Sequence, residues 1–222
     1  MLELLDSRGK GVELELYGAY YPPIYTGVKA LDVEGLLRGL ERVDGLSVFY
    51  HVFHPIFSSH IIPDDVHNDF AFWIRDELGD STLAHLVSDV PGEEPRTVED
   101  VRRDLIKILS GASEELRQRK AKRPFSFLTC VPVVYPIDVK LSTLGQLLDQ
   151  VAMMPARALV YHFVFRRVMG YSKTNDFSQW LTENFGLDEV SIKLSKIDPQ
   201  TYTDEERMRE DVLNVLRGEL LK

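Results

Sequence analysis

Five of the six histidines in this 222-residue chain lie in its first half, and His51 and His54 stand three residues apart. On a helix that spacing places both imidazoles on one face. With His60 and an oxygen from Asp69 or Asp65 they could hold a divalent transition metal, as a metal-dependent hydrolase or lyase requires. On a strand the two would point to opposite faces and could not share an ion. The set follows no established zinc signature such as His-Glu-x-x-His. Surface loop histidines around one core histidine fit the pattern equally.

A second constellation occurs twice. His51 is followed by Asn68, Asp69 and Trp73, and His162 by Asn175, Asp176 and Trp180. Imidazole and carboxylate supply acid-base chemistry, and indole supplies a stacking face, so each set is a candidate ligand site. The alternative is architectural: the aspartate caps a helix, the histidine bonds to that cap or to a buried carbonyl, and the aromatic rings pack the core. Retention in both halves favours architecture. A third group, Tyr17, Tyr20, Tyr21 and Tyr25 around Pro22 and Pro23, could form a platform for a proline-rich peptide or a sugar, the sugar reading using Tyr20, Tyr21, Tyr25 and Trp73. It fits a strand end packed on helices equally well.

Other chemistries have no carrier. The chain contains no Gly-x-Gly-x-x-Gly, no phosphate loop and no Gly-x-Ser-x-Gly. Its one cysteine, Cys130, sits in an apolar run, which suits an inert buried thiol in a reducing compartment. A formal charge of −9 repels phosphate backbones, so nucleic acid is not an expected partner. The N-terminus lacks the basic-then-apolar pattern of a secretory signal. No stretch approaches the roughly 18 apolar residues of a membrane span. A soluble, cytoplasmic protein without membrane contact is expected. With 44% hydrophobic and 27% charged residues, the composition is that of a globular chain with a real core.

The elements that must position these residues repeat. Val48-Phe49-Tyr50-His51 matches Leu159-Val160-Tyr161-His162 at an offset of 111 residues. Asn68-Asp69-Phe70 matches Asn175-Asp176-Phe177 at 107, a register that continues through Gly79 with Gly186 and Gly111 with Gly218. The chain therefore reads as an internal tandem duplication. The first repeat spans 1–111, a polar connector 112–123, and the second repeat 124–222. Each half opens on a strand-like run, Val12 to Tyr20 and Phe125 to Val134, ended by prolines. Helices follow, with N-caps expected at Asp32 and at Ser142 or Thr143. Further starts fall at Asn68-Asp69 and Asn175-Asp176, and stops at Gly79 and Gly186. Ser47 to Phe57 is uniformly apolar and reads as helix or strand. Thr97 with Asp100 and Thr203 with Glu206 resemble capping boxes, the second more closely. The expected fold is α+β, mostly α, with two pseudo-symmetric halves sharing a small β-sheet. A lone two-stranded hairpin in each half would be marginal.

The segments 21–30, 49–55, 68–74 and 174–181 resemble an uncharacterised prokaryotic domain family of unknown function, over nearly the whole chain from about residue 13. That resemblance implies a stand-alone intracellular protein of a thermophile or archaeon. It associates some relatives with trehalose or other glycosyltransferase systems, and supplies no catalytic residues. The leading expectation is a non-catalytic binding, regulatory or scaffold protein, whose partner or small ligand would sit between the halves. The metal-dependent enzyme and a carbohydrate-binding accessory to a glycosyltransferase are the alternatives.

Overall fold

The computed structural model describes residues 5–57, 65–89 and 96–221. Four strands organise it: β1 (Leu14–Tyr20), β2 (Pro23–Ala30), β3 (Phe125–Cys130) and β4 (Val133–Leu141). β1 pairs antiparallel with β4, from Leu14 opposite Leu141 to Tyr20 opposite Val133. β2 pairs antiparallel with β3, from Pro23 opposite Cys130 to Ala30 opposite Phe125. Strands of the two halves thus join, in two two-stranded ladders rather than one sheet. Pro22 follows the end of β1 as expected, but the second run breaks earlier than expected, at Cys130 before Pro132, and extended structure resumes after each break. Pro136 even lies inside β4, opposite Tyr17. Pro136 has no N–H to give, and Tyr17 turns its own N–H outward to His162, so this pair exchanges no backbone bond.

Helices cover the ladders. α1 (Val33–Arg42) starts at Asp32, whose carboxylate accepts from the Gly35 N–H at 2.6 Å. Gly39 on α1 admits the Phe127 ring: a Cβ added there would lie 2.1 Å from it. α2 (Gly45–Phe57) resolves the ambiguous apolar segment as helix. It shows no clean period because it is buried on most of its circumference. α3 (Asp69–Trp73) continues as a π turn (Ile74–Leu78) and stops at Gly79, in the left-handed region at φ 71°. α4 (Ser81–Ser88) and α5 (Val98–Ser110) complete the first half, α5 opening on a true Thr97/Asp100 capping box.

The connector is not a continuation of α5. It forms a short helix, α6 (Glu114–Gln118), strapped to the first half by Arg117–Glu34 at 2.9 Å and Arg123–Glu77 at 2.6 Å. The second half holds α7 (Leu144–Met153), opening on a Thr143/Gln146 capping box. α8 follows (Ala156–Leu159, a π turn Val160–Phe165, then Arg166–Val168), with Pro155 at its N-cap. α9 (Asp176–Phe185) ends at Gly186 with φ 67°. α10 (Asp188–Ser195) and α11 (Glu205–Leu220) close the chain. The expected Thr203–Glu206 box does not form: Asp204 caps α11 instead, accepting from the Arg207 N–H at 2.9 Å, because a carboxylate is the stronger acceptor.

One apolar cluster runs through both halves, with Phe49, Phe53, Phe70, Phe127, Phe163 and Phe177 fully buried. Cys130 is part of it, and burial pushes its thiol up to about 12, so it is not a nucleophile at neutral pH. Among the described residues no helix is long and apolar enough to cross a membrane.

Candidate functional site

α2 carries His51 and His54 on one face, and α3 brings Asp69 against them. His51 Nδ1 lies 2.8 Å from Asp69 Oδ2, and His54 Nδ1 lies 3.3 Å from the same oxygen. The other ring nitrogen of His51, Nε2, accepts the backbone N–H of Leu128 at 2.8 Å. An amide can only donate, so Nε2 carries the lone pair and Nδ1 the proton that goes to Asp69. Both nitrogens of His51 are therefore engaged, and its lone pair faces an amide rather than open space. His54 Nδ1 also meets the Tyr50 carbonyl at 3.1 Å, and its ring stacks on Tyr50 at 4.7 Å. His60 lies outside the described residues. Among those described, no group of three or more His, Cys, Asp or Glu is placed to hold a metal ion.

The second half repeats this geometry. His162 Nδ1 bonds Asp176 at 2.7 Å, and His162 Nε2 accepts the Tyr17 N–H at 2.8 Å. Leu128 and Tyr17 are themselves 111 residues apart, so each histidine holds the equivalent residue of the opposite half. The tryptophans behave alike. The Trp73 indole N–H donates to the Arg123 carbonyl at 2.8 Å, and that of Trp180 to the Val12 carbonyl at 3.0 Å, again residues 111 apart. Neither indole offers a free stacking face: Trp73 is 6% exposed and Trp180 5%. Asparagine, not aspartate, caps each helix. Asn68 accepts from the Ala71 N–H at 2.9 Å and Asn175 from the Ser178 N–H at 2.8 Å. That leaves the following aspartate free to take the histidine.

Tyr21 and Tyr25 are not brought together. Tyr21 is buried against Phe49, Phe57 and Phe165, whereas Tyr25 is 80% exposed. Tyr20 is tilted at 35° against Tyr135, with the Arg157 guanidinium 4.1 Å above its ring. Trp73, the fourth member of the proposed platform, faces β3 through Arg123.

The halves differ at Asp176. Where α2 has Pro55, α8 has Arg166, whose Nε lies 3.0 Å from Asp176 Oδ2. Arg166, His162 and Asp176 line a cavity of about 440 Å³, with Tyr17, Tyr161, Gln179 and Glu183 around its mouth. Glu15 stands on its wall, held well below the usual carboxylate range first by its bond to Lys140 and then by the Tyr17 hydroxyl, which donates to it at 2.8 Å. Motif reasoning found His162, Asp176 and Trp180 here and named Tyr17 only within the tyrosine group, but it missed Tyr161, Arg166, Gln179 and Glu183 as lining residues. Arg166 alone had a visible signal, as the charged residue that breaks the match between the halves.

The model of the family of unknown function DUF5752 matches residues 12–217, and the chain belongs to that family. A solved structure, described as the structure of OrfY from Thermoproteus tenax, is similar with a TM-score of 0.89 and 40% identity, over 96% of this chain and 98% of that one. Among curated proteins none matches.

Proposed function

We propose that this family member is a non-catalytic binding module, and that its ligand or partner side chain enters the cleft where β1 of the first half meets the second-half helices, between Tyr17, Tyr161, Arg166, Gln179 and Glu183. One observation carries the reading: both histidine–aspartate pairs are engaged in fastening the strands of one half to the helices of the other. They are joints, not reactive groups. What remains facing the 440 Å³ cavity is a phenol, an amide, a guanidinium and carboxylates, groups that recognise polar ligands. In this reading the two repeats, 1–111 and 124–222, act as one unit. The exposed Tyr20, Ile24, Tyr25, Val131 and Val133 around the proline-interrupted waist of the ladders add an apolar surface of the kind partners use.

The test is a thermal-shift and titration panel of amino acids, polyamines and polyols on the wild type and on Gln179→Trp. Gln179 is exposed on α9, and an indole there fills the cleft. The expected result is one ligand class that raises the wild-type melting temperature by several degrees and leaves Gln179→Trp unmoved. No response from any class sinks the cleft. Hydrolase activity that requires added zinc or manganese and disappears in His54→Ala would replace the binding reading with the metal-dependent one.

A further inference from the structure

Arg166 and Arg167 are neighbours on the last turn of α8 and face different cavities. Arg166 lines the cleft above. Arg167 lines a separate cavity of about 310 Å³ with Arg96, Thr97, Gly170, Ser172 and Lys173. Arg167 is 5% exposed. Its Nη1 donates to the Ile197 carbonyl at 3.0 Å, its Nε finds no acceptor, and no carboxylate of the described residues lies in ion-pair distance of it. A guanidinium taken out of water is costly unless an anion or a full set of acceptors replaces the lost hydration. Here burial is the largest influence on it and weakens its hold on its proton; the Asp198 charge opposes this, and the nearby Arg96 acts in the same direction as burial. Two acids stand near. Asp104 is taken by Arg96 at 2.6 Å, and Asp198 is turned to the Gln200 N–H at 3.0 Å. Lys173 is exposed at the cavity mouth and adds a third positive charge.

We infer that this cavity, where Arg96 and Thr97 of the first half meet Arg167, Ser172 and Lys173 of the second, is an oxyanion site that takes a phosphate group, free or carried as a monoester. Arg167 supplies the buried fork of donors that phosphate geometry matches. Lys173 supplies a mobile point charge, and the Ser172 and Thr97 hydroxyls supply neutral donors. The cavity exceeds one phosphate in volume, which leaves space for an ester's organic part.

The experiment is isothermal titration of the full chain with inorganic phosphate and with glycerol 3-phosphate, at constant ionic strength set by chloride. The wild type, Arg167→Gln and Lys173→Ala are compared. Saturable binding to the wild type, weakened at least tenfold in Arg167→Gln and severalfold in Lys173→Ala, is expected. Lys173→Ala keeps the test decisive should Arg167→Gln fail to fold, because Lys173 is on the surface. Tighter binding of the ester identifies the occupant as a phosphomonoester, and equal binding identifies the free ion. Absence of saturable heat with both probes, or wild-type affinity in Lys173→Ala, overturns the site.

Discussion

An imidazole held between a carboxylate and a backbone amide has one tautomer and one orientation, and it caps an outward-facing N–H that would otherwise meet an apolar helix. His51 and His162 do this for Leu128 and Tyr17. Truncation leaves a buried amide without an acceptor and an aspartate without its imidazole. His162→Ala is expected to destabilise the fold by about 2–4 kcal/mol, the sum of a lost buried hydrogen bond and the cavity left behind. Urea unfolding measures it. A loss below about 0.5 kcal/mol would mean that the joint carries no load. The residue types of this joint were legible in the sequence, and so was the architectural reading of it. The bonding partners were not, since Tyr17 and Leu128 offer only backbone and no side-chain motif announces that role.

Helix ends were the most legible elements, because their signals are local. Asn68, Asn175, Thr143, Gly79 and Gly186 each do at the terminus what their chemistry favours. β2 and β4 were missed for the opposite reason. Their ladders close with residues roughly a hundred positions away, and prolines at their starts and interiors read as terminators. Close packing between elements was equally hidden. Gly39 on α1 looks like a weak helix residue, yet the fully buried Phe127 ring occupies the space its side chain would need. Gly39→Ala gains about 1 kcal/mol of helix propensity. It must also displace a ring locked among Phe70, Phe125 and His51. Overpacking of this kind costs about 1–3 kcal/mol. A net loss of stability is expected, read as a lower melting temperature; a rise would show that α1 can shift away from β3 freely.

At the scale of the molecule, each half lends its strands to the other. The β1·β4 and β2·β3 ladders, the two histidine caps and the Trp180 indole cap cross between residues 1–111 and 124–222, and the Trp73 cap ties the first half to Arg123 at the end of the connector. A repeat was legible as matched residues, but the exchange was not, because periodicity within a chain says nothing about which copy a strand pairs with. Expressed alone, residues 1–123 and 124–222 are each expected to lack a cooperative unfolding transition and to regain one on mixing. A half that melts cooperatively by itself would overturn the single-unit reading.

The same exchange governs how the chain leaves the ribosome. β1 begins at Leu14 and its ladder closes only when Leu141 is available, 127 residues later. At a translation rate of about 5–20 residues per second, the nascent β1 strand waits about 6–25 s for its partner. From its own synthesis until β3 emerges, Phe70 lacks the Phe125 and Phe127 rings that pack on it. Synthesis of this protein therefore passes through an obligatory sticky stage, whose length is set by translation speed rather than by folding speed.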